Sequence, residues 1–459
     1  MSDFDVAVVG GGPGGYVAAE RAAARGLTTV LVEREHLGGV CLNSGCIPTK
    51  TLIHSAKLLQ QARGSAAYGV TVSEARYDLG AAMAWKSAVT ERLRGGVASQ
   101  MERHGVTVER GTGMLTGRGR LTVDGRELAA RNVIVATGSH AARPPIPGAG
   151  LPHVVDSTGA LQLQQLPARV VIVGGGYIGM EFACYYHAVG SEVVVVEMLD
   201  DILAGVDGDI VRQLKSALPG VAWHLGARVS AITASGVAVA TTGGEREEAA
   251  DLVLLATGRT PNTDGLGLEA AGAVFNRRGL TVDEYQRTNV SGLYAVGDVT
   301  GRSLLAHAAS RMGEVAVDAI ASPQPGSNRM RYHAVPWVVY TLPEIAGVGL
   351  SEEAARASGR NVRVARLPLA ANGRFLAEHL APGSAAHAAT PRGLVKVVVD
   401  GDSRVLLGVH MIGTPASEII FGAATMIEAE LRVEELREIV FPHPTVSEAL
   451  RDVLWEVQW

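Results

Sequence analysis

The 459-residue chain is short of several things at once: it has three cysteines, five lysines and an aromatic content of 5%. Three cysteines cannot build the disulfide framework of a secreted scaffold. A chain so sparing of them is expected in a reducing cytoplasm, where a disulfide is more often catalytic than structural. The net charge of -5 gives no single-sign field, and no basic run is interleaved with aromatics, which argues against nucleic acid as a partner. Long apolar runs are missing too. The most apolar segment, VVIVGGGYIGMEFACYY, contains four glycines and a glutamate and reads as strand, turn and helix, so no membrane span is expected. The opening MSDFDVAVVGGG lacks the basic stretch of a secretory signal.

What is present is length and 47% hydrophobic content, enough for three or four domains. The strand pattern FDVAVV runs into Gly10-x-Gly12-x-x-Gly15, then an alanine-rich helix pattern closed by Gly26, then the strand TTVLVE ending at Glu33. The same unit recurs as RVVIV, Gly174-x-Gly176-x-x-Gly179, a helix pattern closed by Gly190, and EVVVVE ending at Glu197. The first glycine precedes the acid by twenty-three positions both times. Glycines in this order allow a tight turn and let backbone N–H groups reach a pyrophosphate at a helix N-terminus, while the acid can accept hydrogen bonds from a ribose. Two copies imply two dinucleotides. Met198, Leu199, Asp200 and Asp201 follow Glu197, so no arginine stands there to hold a 2′-phosphate, and the second unit is expected to prefer NAD over NADP. The related segments NVIVATGS (132–139) and LVLLATGR (252–259), one after each unit, support a duplicated architecture.

Two of the three cysteines, Cys41 and Cys46, lie in GGVCLNSGCIPTK, between a Gly-Gly pair and Pro-Thr-Lys. Five residues of regular helix rise about 7.5 Å, beyond the roughly 7 Å between Cα atoms that a disulfide tolerates, so a bridge here needs an irregular backbone. Gly45 supplies that freedom, and Pro48 suits the first turn of the helix pattern TKTLIHSAKLLQQA. A helix N-terminus favours thiolates, so the pair reads as one built to open and close. Two other readings stand beside it: two unrelated buried thiols, or a zinc site, for which Cys184 offers no second ligand pair. Lys50 is a compact cation in a chain that otherwise uses arginine, whereas Lys57 and Lys86 have no evident task. Glu181, near a helix start, reads either as dipole complementarity or as a functional carboxylate. Near the end, FPHPTVSEALRDVLWEV sets His443 between two prolines that pin its backbone. Thr445 and Glu448 match a capping box, and Glu448 can alternatively orient the His443 imidazole.

With ATGRTPNTDGLGLEAAG, LYAVGDVTG, LLAHAA, VVYTLPEIAGVGLSEEAA and HPTVSEA, these stretches make nearly the whole chain resemble the pyridine-nucleotide disulfide oxidoreductases, and among them those that oxidise a dihydrolipoyl group. The resemblance implies an α/β fold with two Rossmann-like dinucleotide-binding domains, for FAD (1–148) and NAD (149–265). A central domain (266–334) would complete the FAD site, and a C-terminal α+β dimerisation domain (335–459) would form a homodimer. It places FAD on Gly10, Gly12, Gly15, Glu33, Gly39, Lys50, Gly113, Thr137, Gly138, Ser139, Asp298, Leu305 and Ala306, and NAD on Gly174, Gly176, Gly179, Glu197, Val229 and Gly258. Cys41 and Cys46 would form the redox disulfide, with Cys41 attacked by the dithiol and Cys46 lying against the flavin. Lys50, paired with Glu181, would sit beside the flavin. His443, polarised by Glu448 and contributed by the opposite subunit, would accept the thiol proton.

The implied partner is the lipoyl domain of a 2-oxoacid dehydrogenase complex or a glycine-cleavage protein, carried on another chain, since no N-terminal lipoyl domain is seen. Three departures stand out. Phe441 replaces a second histidine, Tyr177 is bulky enough to gate the nicotinamide face, and the alanine-rich stretch 378–393 reads as a long surface loop. Rival functions are an NADH-dependent reductase of another disulfide, a diaphorase-like quinone reductase, and a flavin-binding scaffold that would need none of the reactive residues.

Overall fold

The apolar run Phe4–Val9 forms the middle of a parallel sheet, with Thr29–Glu33 on one side and Arg126–Val135 on the other. Thr107–Arg110 extends the first side and Leu293–Ala295 pairs in parallel with Arg126–Val135. Phe4–Val9 and Thr29–Glu33 read as apolar runs because both sheet faces are covered there. Arg126–Val135 also continues into an antiparallel meander with Arg120–Val123 and Gly113–Gly117. The molecule is described here from a computed structural model that covers residues 3–322, 326, 328–379 and 393–459.

The second unit repeats the plan. Arg169–Val173 is flanked in parallel by Glu192–Val196 and Leu252–Leu255, with Ala222–His224 and Val154–Asp156 at the edges. Its own antiparallel meander runs through Arg228–Thr233, Gly236–Thr241 and Gly244–Ala249. The two units are joined by a two-stranded ribbon in which Ser139–Ala141 pairs with Arg259–Pro261.

The C-terminal part is a five-stranded antiparallel sheet in the order Trp337–Val339, Ile345–Gly349, Leu406–Ile412, Leu394–Asp400, Val362–Pro368. One face packs against the helices Ala416–Glu428 and Glu448–Trp455, burying Val395, Val397, Val409 and Met411. The alternate residues face the second unit, and there Leu394, Ile345 and Ile412 share a single apolar core with Leu52 and Ile53 of the Cys46–Gly64 helix and Met180 and Phe182 of the Tyr177–Val189 helix. That shared core brings the cysteine helix, the second-unit helix and the C-terminal sheet to one place. Among the described residues no helix is long and apolar enough to cross a membrane. Of the long stretch 378–393, Glu378 and His379 close the Gly373–His379 helix, and residues 380–392 lie outside the described residues.

Candidate active site

Both glycine turns have one geometry. Gly10 has φ +107 and Gly174 φ +110, and a Cβ at either would strike a carbonyl oxygen, of Ala136 in the first case and Ala256 in the second. Each turn leads into a helix whose N-cap is a glycine without a side-chain cap, Gly12 and Gly176, and whose first turn carries no acid. The N–H groups there remain available to an anion. Behind each turn stands the acid. Glu33 accepts from Gly11 N–H at 2.7 Å and from Glu35 N–H at 2.7 Å, and Glu197 accepts from Gly175 N–H at 2.6 Å and from Leu199 N–H at 2.8 Å. Each carboxylate oxygen keeps a second lone pair for a ribose hydroxyl.

A cleft of 1430 Å³ opens over the first turn, large enough for a dinucleotide. Gly10, Gly12, Glu33, Gly39, Gly113, Thr137, Gly138, Ser139, Asp298, Leu305 and Ala306 line it, together with Cys41, Cys46, Lys50 and Glu181. Gly15 packs behind the turn, where a Cβ would meet the Gly10 carbonyl. Gly174, Gly176, Gly179 and Glu197 form the second turn away from the cleft's lining. Val229 is buried in the second unit's core, and Gly258 accepts from Ala142 N–H at the joint between the units.

Cys41 belongs to the short helix Gly39–Ser44 and Cys46 is the first residue of Cys46–Gly64. The helix therefore starts two residues before Pro48. Gly45, with φ -143 and ψ -109, breaks the two helices apart, bringing the Cα atoms to 4.6 Å with a disulfide between the sulfurs. One turn further on, Lys50 Nζ donates to Glu181 Oε1 and Oε2 at 2.8 and 2.7 Å, and lies 4.7 Å from the Tyr340 ring centroid. Tyr340 N–H also donates to Glu181 at 3.1 Å. Glu181 is buried and is thus held by a lysine and a backbone amide rather than by its own helix terminus. Removing Lys50 would leave a buried carboxylate uncompensated, a loss of about 3–5 kcal/mol in a fully buried pair and less here because Lys50 keeps some exposure. Lys57 and Lys86, without a task in the sequence, have partners: Lys57 Nζ lies 3.8 Å from Glu344, and Lys86 donates to Leu161 O at 2.6 Å. Burial pushes the Cys184 thiol up to about 12, so it stays protonated and unreactive.

Asp298 sits in the 3-10 turn Gly297–Thr300, where it accepts from Ser139 Oγ at 2.5 Å and lies 3.8 Å from Arg259. Burial raises its pKa, and Ser139 and Arg259 oppose that rise. Arg259 also donates to the Ser139 hydroxyl and carbonyl at 2.7 and 2.6 Å. Arg259 and Tyr340 are site residues that sequence reasoning did not select. The available signal for Arg259 was the repeated ATG turn, in which it stands where Ser139 stands in the first unit.

His443 lies outside its own chain's cleft lining, and its side chain is 81% exposed. Its Nδ1–H donates to Glu448 at 3.1 Å, which leaves Nε2 free to accept a proton. Glu448 also accepts from Thr445 N–H at 3.0 Å, and this bond, then burial's opposing effect, then His443, set a net lowering of its pKa. Thr445 Oγ1 turns instead to Pro442 O and Ser447, so only the acid half of the anticipated capping box forms, and the helix begins at Glu448 with Ser447 as N-cap. Val440, three residues before His443, is well exposed too.

A cleft over one dinucleotide turn, a disulfide lining it at a helix break and a second turn of the same geometry define a nucleotide-dependent disulfide oxidoreductase. Residues 4–313 match the family model for pyridine nucleotide-disulphide oxidoreductases and residues 335–454 match that family's dimerisation domain, so the chain belongs to this family. It is an enzyme whose cofactors are FAD and NAD. It is 39% identical to a dihydrolipoyl dehydrogenase of Thermus scotoductus over 98% of this chain and 97% of that one. It is also 39% identical to dihydrolipoyl dehydrogenase 3 of Pseudomonas aeruginosa over 100% and 98% of the two chains. Among solved structures, the HOCl-induced flavoprotein disulfide reductase RclA from Escherichia coli superposes with a TM-score of 0.85 at 31% identity, covering 99% of this chain and 100% of that one.

Proposed function

We propose that the protein oxidises protein-bound dihydrolipoamide to lipoamide with NAD⁺. The observation that carries this reading is the Cys41–Cys46 disulfide lining the same cleft as the Lys50–Glu181 pair, in a chain 39% identical along its length to two dihydrolipoyl dehydrogenases. One thiolate of the substrate attacks Sγ of Cys41, the disulfide breaks, and Cys46 leaves as a thiolate. The second substrate thiol then closes the lipoyl ring, releasing Cys41, so two substrate thiols are oxidised and two cysteines reduced. His443 Nε2 accepts the thiol proton while Glu448 fixes the tautomer and orientation. Lys50, held by Glu181, sets a positive charge in the cleft one turn along the helix that Cys46 begins. The uncapped helix at Gly12 and the half-buried Asp298 suit a dinucleotide, and when bound FAD and NAD supply the two-electron route from the reduced cysteines to the nicotinamide.

The exposure of His443 supports a homodimer in which each cleft receives its histidine from the other chain, with the domains divided at 1–148, 149–265, 266–334 and 335–459. The lipoyl group would arrive on a 2-oxoacid dehydrogenase complex or a glycine-cleavage protein, in the cytoplasm. A second reading, NADH-dependent reduction of another disulfide, is favoured by the 31% identity to RclA, named a disulfide reductase. Anaerobic mixing of the holoenzyme with dihydrolipoamide and NAD⁺ separates the two. Rapid NADH formation together with the long-wavelength thiolate-to-flavin absorbance supports dihydrolipoamide. An inert dihydrolipoamide with the same band appearing on NADH addition selects the second reading, and neither signal removes both.

A further inference from the structure

A row of residues crosses the five strands of the C-terminal sheet on the face toward the second unit. In register, Trp337 opposes Gly347, Gly347 opposes His410, His410 opposes Lys396, and Arg366 follows on the next strand. At one end the row is fastened. Lys396, 1% exposed, reaches Asp207 and Asp209 at 2.7 Å and Glu352 at 2.8 Å, and Arg366 joins Asp209 at 2.8 Å. Asp207 and Asp209 open the second unit's helix Gly208–Ala217, so the ionic end ties the sheet to that unit. In the middle, His410 Nε2–H donates to Leu350 O at 2.9 Å, which leaves Nδ1 without a proton and, among the described residues, without a hydrogen-bond partner. Gly347 has no Cβ because one would strike the Trp337 indole and crowd His410.

At the other end the row meets the cleft. The Trp337 ring packs 5.8 Å from that of Tyr177, which lines the cleft one helical turn before Glu181. Both ends of the Trp337 strand are tied to cleft residues: His307 Nε2–H donates to Pro336 O at 2.6 Å, and Tyr340 N–H donates to Glu181. The strand's backbone is thus held at both ends, and Gly347 and His410 lie close against the indole.

We propose that Trp337 is a positioning residue for nicotinamide exchange, holding the Tyr177 ring where it lines the cleft, and that the Gly347–His410–Lys396 row is the anchorage that fixes Trp337. This rests on the reading that NAD engages the second unit. The packing of Trp337 is what Tyr177 must work against whenever a nicotinamide enters or leaves.

The test uses the purified holoenzyme in anaerobic stopped flow, with flavin reduction followed separately by NADH and by dithiothreitol. Trp337→Ala should change the NADH half-reaction, in rate or half-saturation, by roughly three- to tenfold, the worth of an aromatic pair, and leave the dithiothreitol half-reaction unchanged. Trp337→Phe should restore most of the effect, and Tyr177→Ala combined with Trp337→Ala should show less than the product of the single effects. If Trp337→Ala does not fold, Gly347→Ala, which displaces the indole without removing it, should show the same selective change. Equal slowing of both half-reactions, no change in either, or full independence of the two aromatic substitutions overturns the proposal. If the wild-type flavin is reduced by dithiothreitol but by neither NADH nor NADPH, the assigned function falls with it, whereas a normal wild type with indistinguishable variants removes this proposal alone.

Discussion

The two dinucleotide units share the turn, the glycine N-cap and the acid that grips the turn, yet they differ in what surrounds that frame. In the first, the residues after the acid, Arg34, Glu35 and His36, are exposed but line the cleft, as does the 3-10 turn carrying Asp298. In the second, Met198 and Leu199 follow the acid at 69% and 50% exposure, and the turn stands outside the cleft lining. One local design thus makes a seat inside the cleft that holds the disulfide and a second seat outside it. The turn confers the capacity to hold a pyrophosphate, and the neighbouring segments decide whether the disulfide shares its cleft.

The largest expected effect that would break this comparison comes from a matched pair of substitutions. In Gly15→Ala and Gly179→Ala the new methyl meets the carbonyl oxygen of the first glycine of its own turn. Gly15→Ala should yield protein without flavin and without activity. Gly179→Ala should keep the flavin absorbance and the dithiol half-reaction while losing response to NAD⁺; the two variants behaving alike would remove the distinction between seats. His443→Gln, which belongs to neither unit, should slow thiol oxidation by roughly two to four powers of ten with flavin and NAD⁺ binding unchanged, the usual worth of a positioned base. An unaltered thiol oxidation rate would reduce His443 to a structural role.

Smaller effects sharpen the comparison. Glu197→Ala deprives Gly175 N–H of its carboxylate, and the half-saturating NAD⁺ concentration should rise roughly ten- to a hundredfold, as expected for a charge-assisted hydrogen bond, with flavin content intact by absorbance. The smallest expected effect concerns the anchorage of the second unit to the C-terminal sheet. Burial alone would raise the Asp209 pKa, but Lys396 and Arg366 outweigh it and bring the carboxyl down to about 2, below its ordinary 3.8. Its stabilisation is therefore complete above the ordinary value and is lost as pH falls through about 2. Thermal melting of wild type and Asp209→Asn should differ at neutral pH and converge as the pH drops from about 4 toward 2; a constant gap would show that the carboxylate's charge is not what Asp209 contributes.

Much of this was legible in the chain itself, for a physical reason. A parallel sheet buried on both faces writes itself as apolar runs, and a pyrophosphate turn needs glycines at fixed offsets, so both units could be read with their acids in register. The cysteine pair was legible because five residues of regular helix cannot be bridged, which pointed to the break found at Gly45. The rest depends on contacts between elements far apart in sequence. Ser139 meets Asp298 159 residues later and Arg259 120 residues later, and Lys50 meets Glu181 across 131 residues. Local pattern carries no record of such pairings, which is why Glu181 had two readings and Lys57 and Lys86 none. Thr445 shows the opposite failure: a good local motif for capping yielded only half its bonds, because Pro442 O and Ser447 compete for the threonine hydroxyl.

The exposed imidazole of His443 has a consequence for counting. If every complete site borrows its histidine from the neighbouring chain, a dimer formed from one Cys46→Ser chain and one His443→Gln chain concentrates both lesions in one site and leaves the other with none. Two preparations that are each inactive should then regain activity on mixing, once their subunits exchange. The ceiling is half the wild-type rate for a mixed dimer and a quarter for a random mixture in which half of all dimers are mixed. Complementation of that size would make the catalytic unit a property of a pair of chains, inherited by neither alone.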